Sequence, residues 1–120
     1  MRPTEHFRLL KYYLKKGDRK VNEKLLSLLG IARRAGRLSM GFDAAAEAAK
    51  KGSSRLLLIG SDISDRTKRA ITAVAQETDT PMIILIEPME SMSSAVGKHT
   101  GIISVNDEGF AKKMKTLCGE

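Results

Sequence analysis

Tryptophan is absent from this chain, and aromatic residues account for only 4% of its 120 positions. A core must therefore be built from aliphatic side chains. Cysteine occurs once, as Cys118, which excludes an internal disulfide, and the only histidines, His6 and His99, leave no spacing suited to zinc. Neither a metal nor another cofactor is expected. No apolar run approaches the ~20 residues that span a bilayer, and the basic N-terminus lacks the continuous apolar stretch of a secretory signal. These absences predict a cytoplasmic protein with no membrane partner. Internal repeats and low-complexity tracts are also missing.

What is present fits one globular domain. Hydrophobic residues make up 42% and charged residues 29%, close to ordinary globular usage, and the length suits one core. The net charge of +7 is unevenly placed. Residues 1–20 carry seven Lys or Arg against two acids, and residues 21–55 carry seven against three. Residues 56–120 reverse the balance, with seven against nine. A positive field concentrated on one part of a small domain attracts polyanions, nucleic acid first among them.

The segment from Thr4 to Lys16 spaces Phe7, Leu10 and Leu14 between basic residues and predicts a short amphipathic helix. Gly17, Asp18, Arg19 and Lys20 predict a linker, so residues 1–21 form a basic arm and residues 22–120 the domain. From Asn22, Leu25, Leu28, Leu29 and Ala32 make one helical stripe that stops at Gly36. Arg33, Arg34 and Arg37 crowd its end, where cations meet the negative pole of the helix dipole; three guanidiniums so close also suit a phosphate backbone. A short strand is expected at Leu38 to Met40, then an alanine-rich helix from Gly41 to Gly52. Buried strands follow at Leu56 to Ile59 and Met82 to Ile86, and a last strand at Ile102 to Val105. Helices are expected after Ser64, after Pro88 and after Asn106 or Asp107. Strands alternating with helices imply crossover connections, a largely parallel sheet and a three-layer α/β/α sandwich.

Catalytic groups are sparse. Val96-Gly97-Lys98-His99-Thr100 fails as a phosphate loop, because Met92 and His99 stand where a glycine and a Ser or Thr are required. Asp62 and Asp65, after the Gly60-Ser61 turn, are placed to end a strand and begin a helix. A non-catalytic protein is expected; an enzyme or an enzyme's recognition domain has only the Gly60-Ser61-Asp62 turn in its favour.

Several separated segments nevertheless share one resemblance: Leu28 to Leu38, the Gly41 to Gly52 helix, Leu57 to Ser64 leading to Thr67-Lys68-Arg69, Ala95 to Lys98, and Val105 to Lys113. In that order they resemble the ribosomal protein L7Ae family of kink-turn RNA binders, in particular its small bacterial branch of YlxQ type. The resemblance spans residues 23–118. It implies an α/β/α sandwich around a mixed sheet of about four strands, and RNA binding without chemistry.

Family members that grip kink-turns begin the second helix with Gly-x-Asn-Glu-x-x-Lys. Gly41 matches here, while Asp43, Ala44 and Glu47 stand in the Asn, Glu and Lys places. Asp43 accepts hydrogen bonds but cannot donate as an amide does, and Glu47 is spaced to pair with Lys51 one turn on. The resulting candidate RNA interface comprises Arg33, Arg34, Arg37, Gly41, Phe42, Asp43, Lys51 and Lys98. Its expected partner is a structured RNA, ribosomal or kink-turn-like, in association with the ribosome. The alternative is a protein-interaction module presenting Phe42, Ile63 or Met89.

Overall fold

The computed structural model describes residues 9–10 and 19–118, with side-chain environments from residue 22 onward. Helices α1 (Arg19–Arg34), α2 (Phe42–Lys50), α3 (Asp65–Thr78), α4 (Met89–Val96) and α5 (Glu108–Leu117) alternate with strands β2 (Leu38–Met40), β3 (Leu56–Ile59), β4 (Met82–Ile84) and β5 (Ile102–Val105). A two-residue strand, β1 (Leu9–Leu10), borders the sheet, whose order is β1-β4-β3-β5-β2. The three layers follow from the strand pattern. Every residue of β3 and β5 is buried, so both faces of the sheet must be covered. On one face Leu56, Leu58, Ile83, Ile103 and Val105 meet α1, α4 and α5 through Leu25, Leu29, Met92 and Met114. On the other, Leu57, Ile59, Met82 and Ile102 meet α2 and α3 through Ala45, Ala49, Ile71 and Ala75. The alanines of α2 leave room for that helix to lie close to the sheet.

Two expectations are corrected at the N-terminal side. Leu9 and Leu10, placed above in a helix, form a strand parallel to β4, Leu9 opposite Met82 and Leu10 opposite Ile83. The open edge of β4 presents unpaired backbone groups, and an adjacent pair of leucines there satisfies them. The rest of the expected helix, residues 4–8 and 11–16, lies outside the described residues. Helix α1 also begins at Arg19, so Arg19 and Lys20 are helical rather than part of a linker.

The sheet is mixed, as the resemblance implied, and not largely parallel, as the alternation of strands and helices alone suggested. β3 and β4 are parallel, but β5 runs antiparallel to both β3 and β2. Ile59 of β3 is flanked by Ile84, the last residue of β4, and by Ile102, the first of β5. The connection through α4 thus leaves and returns at the same end, whereas a parallel crossover must traverse the sheet. β4 also stops two residues early, where Ser61 N–H donates to the Glu87 carbonyl and turns the chain toward Pro88.

Candidate nucleic-acid interface

The register gives the sheet two ends. At one, Met40 sits opposite Ile103, and the Gly41 N–H donates to the Ile102 carbonyl at 2.8 Å. Helix α2 starts there from Gly41, whose φ of 95° and ψ of 160° suit glycine. Gly41 has no side chain to cap the helix, so the first-turn amides of α2 have no side-chain partner at the N-cap. The neighbouring helices differ. Ser64 accepts from Thr67 N–H at the start of α3, and Asp107 from Phe110 N–H at the start of α5. Helix α4 begins at Pro88, but Asp62 reaches across from the preceding loop and accepts from Met89 N–H at 2.8 Å. Asp62 therefore has the structural role that its position after a strand suggested.

Around this α2 end the loops are tightly joined. A side chain at Gly101 would displace the ends of Ile63 and Met89, which lie over it, and Gly60 lies under the Met89 backbone. Phe42 and Ile63 are half-buried and pack on the core cluster of the α2/α3 face. Asp43 is exposed in the first turn of α2. Lys98 is exposed beyond Gly97, beside a shallow cleft of about 450 Å³ lined also by Asp62, Met89, Glu90, Ser93 and His99. Carboxylates slightly outnumber cations at this end: Asp43, Asp62, Asp65, Glu87 and Glu90 stand against Arg66, Lys68, Arg69 and Lys98. Lys68 is further engaged, donating to the Ser61 carbonyl.

Most of the remaining candidates gather at the opposite end. Gly36, with φ 72°, closes α1: its N–H donates to Arg33 O while Arg37 N–H donates to Ala32 O, a Schellman arrangement. Gly52 closes α2 in the same way, its N–H donating to Ala49 O and Ser53 N–H to Ala48 O. Each of these helices ends in a pair of exposed cations, Arg33 and Arg34 or Lys50 and Lys51. Arg37 and a residue that the sequence pattern did not single out, Arg55, hold the strand end between them. Asn106 N–H donates to the Arg37 carbonyl, and Arg55 N–H donates to Val105 O.

Below them runs a buried polar chain. Ser104, fully buried in β5, has its hydroxyl 2.6 Å from Asn106 Oδ1 and 2.7 Å from Ser54 Oγ. It has one proton, which the acceptor-only Asn106 Oδ1 requires, so Ser54 donates to Ser104. The Asn106 amide in turn donates to Ser39 Oγ at 2.8 Å. The chain ties β2, β5 and the approach to β3 together, next to Arg37 and Arg55.

The structure thus brings Gly41, Phe42, Asp43 and Lys98 to one end and Arg33, Arg37 and Lys51 to the other, whereas the Arg34 guanidinium lies back over Gly30 and lines a groove between α1 and α4 together with Glu90, Ser91 and Ala95. Four residue steps from Arg37 to Gly41 span roughly 13 Å of extended chain, and nine helical residues separate Lys51 from Gly41 by about the same distance. Lys51 and Glu47 form no ion pair. Among the described residues, ion pairs join Arg37 Nε to Asp107 Oδ1 at 3.9 Å and Arg55 Nε to Glu108 Oε1 at 3.7 Å. No group of three or more His, Cys, Asp or Glu converges as a metal site, and no helix is long and apolar enough to cross a membrane, again among the described residues.

An α/β/α sandwich with a mixed sheet and an alanine-rich second helix opening at a strand end defines a recognised class of small domain. The profile of the ribosomal protein L7Ae/L30e/S12e/Gadd45 family matches residues 23–115, and the chain belongs to that family. Among curated proteins it is similar to the RNA-binding protein YlxQ of Enterococcus faecium, with 27% identity over 95 residues, covering 79% of this chain and 91% of that protein. Among solved structures it is similar to a protein of unknown function from Bacillus halodurans C, at 32% identity and a TM-score of 0.75, covering 81% of this chain and 98% of that one. It also shares its fold with the Giardia lamblia 15.5kD RNA binding protein, at 14% identity and a TM-score of 0.66, covering 88% and 93% of the two chains.

Proposed function

We propose that this protein binds structured RNA without catalysing a reaction, and that it receives a bend or loop of the RNA at the start of α2. The observation that carries this reading is the uncapped first turn of α2, set beside neighbours whose first-turn amides are held by Ser64, Asp62 and Asp107. Unclaimed amides at a helix N-terminus are donors for a phosphate or a base carbonyl. The similarity to a protein named RNA-binding supports the same partner. A ribosomal or kink-turn-like RNA, met in the cytoplasm and on the ribosome, is the form of partner this reading favours.

The residues at the α2 end predict how the RNA is read. Asp43 accepts from the imino and amino groups of guanine but offers no donor to adenine. The surrounding carboxylates make that end a poor place for phosphates. Phe42, Ile63 and Met89 give a protein partner little to hold, because all three are half-buried and two of them fill the space over Gly101.

The test is a titration of labelled kink-turn RNA, a straight duplex of equal length and a single strand, each at two salt concentrations. Tighter binding of the kink-turn that persists at the higher salt is expected, and Asp43→Asn should shift the preferred base at the contacted position. Equal, weak binding to all three RNAs sinks the proposal.

A further inference from the structure

We propose that the end of the sheet remote from the start of α2 is a second RNA-contacting face, at which Arg33, Arg37, Lys51 and Arg55 take the phosphates of a different RNA segment. This inference rests on the reading that the protein binds RNA and adds a separate site for a separate part of it.

Three observations carry it. The first is convergence. Two helices end at this face, each through a glycine-closed turn, and Arg37 and Arg55 are both anchored by backbone hydrogen bonds to residues 105 and 106. Helix dipoles account for cations in the last turns of α1 and α2, but Arg55 lies in neither helix and Arg37 lies beyond the end of α1. The second is availability. The pairs to Asp107 and Glu108 are long, and both arginines are at least half exposed in their side chains, at 57% and 50%. Exposed pairs of this kind contribute little, and a guanidinium with five donors keeps most of them free for phosphate oxygens. Among the described residues, Arg33 and Lys51 are exposed and form no ion pair.

The third is contrast. The end that opens α2 holds more carboxylates than cations, so its amides and Asp43 can contact bases while the bulk of the phosphate attraction lies elsewhere. Glu77 and Asp79, at the end of α3, bound the basic face on the β4 side and confine it to the ends of β2, β5 and β3. The Ser54-Ser104-Asn106-Ser39 chain holds the backbone next to Arg37 and Arg55 in place. Because the two faces lie at opposite ends of the same strands, the nucleotides seated at α2 are not the ones that meet the arginines. A separate molecule of RNA duplex meets them.

The experiment uses the full chain and two probes, a kink-turn RNA and a straight RNA duplex. One variant combines Arg33→Gln, Arg37→Gln, Lys51→Gln and Arg55→Gln. The control combines Lys24→Gln, Arg69→Gln, Lys112→Gln and Lys113→Gln, removing the same charge from α1, α3 and α5. The first variant is expected to weaken duplex binding at least tenfold and to flatten the dependence of log K on log salt by about three units. Kink-turn affinity, measured at a salt concentration where the duplex no longer binds, should change less than threefold. The control should change duplex binding less than threefold.

An equal loss in both variants overturns the proposal in favour of diffuse charge, and an unchanged duplex affinity overturns it outright. A matching loss of both RNAs in the first variant means one continuous surface and also overturns it. Should the fourfold variant fold poorly, Arg33→Gln with Lys51→Gln, which breaks no ion pair among the described residues, decides the matter by a loss of threefold or more in duplex binding. Failure of wild-type protein to prefer the kink-turn refutes the α2 reading, while the difference between the two variants on the duplex still judges this one.

Discussion

Single residues set the conditions under which this domain can be handled. Cys118 is 5% exposed, and burial pushes its thiol from 9.0 up to about 11. The thiolate is the reactive form, so at pH 8 a soluble disulfide reagent should modify the native protein about a hundredfold more slowly than the urea-unfolded chain. Comparable rates would show that the thiol is open to solvent. The sign for stability follows. A raised folded-state value means that the unfolded chain ionises first, so this contribution is complete below pH 9 and is lost as pH rises toward 11. Arg37 illustrates a different limit at the same scale. The sequence marks it as a cation near a helix end, but only the turn closed by Gly36 and the hydrogen bond from Asn106 show which way it is carried.

At the scale of elements, apolar periodicity revealed every helix of the domain and the four main strands, because each buries a stripe or a face whose spacing is local. The capping residues Ser64 and Asp107 were legible for the same reason. The direction of β5 was not. It depends on whether residues 85–101 cross the sheet or turn back, and a short helix between two strands is compatible with either. The parallel pairing of Leu9 and Leu10 with β4 was hidden by the same limit, since a two-residue strand is defined by its partner and has no period of its own.

The Ser54-Ser104-Asn106-Ser39 chain is a further case. Ser104 interrupts an apolar strand, and its partner Ser54 lies 50 positions away in sequence from it. Ser104→Ala should leave the Asn106 carbonyl and the Ser54 hydroxyl without their partner and cost about 1–3 kcal/mol. Urea unfolding should then show a lower midpoint at an unchanged slope. An unaltered midpoint would remove the chain as a fixture of β2, β3 and β5.

For the whole molecule, the arrangement of charge matters more than its amount. The net charge of +7 pointed to a polyanion, and the resemblance pointed to the start of α2. Strand register then separated the two, with arginines at one end and carboxylates around the helix opening at the other. Sequence order concealed this because Arg37 and Gly41 are only four positions apart in the chain, and the three residues between them are the strand that carries them to opposite ends.

The packing around Gly101 has a kinetic consequence. With Ile63 and Met89 filled in over that glycine, the loops beside α2 are already in place before any partner arrives. A preassembled receptor does not remodel itself around its ligand, so the conformational work of docking falls on the RNA. Association should then be limited by the fraction of RNA that is already sharply folded, and its observed rate should climb as added Mg²⁺ screens the phosphates and populates that form. A rate indifferent to the folding of the RNA would place the slow step in the protein.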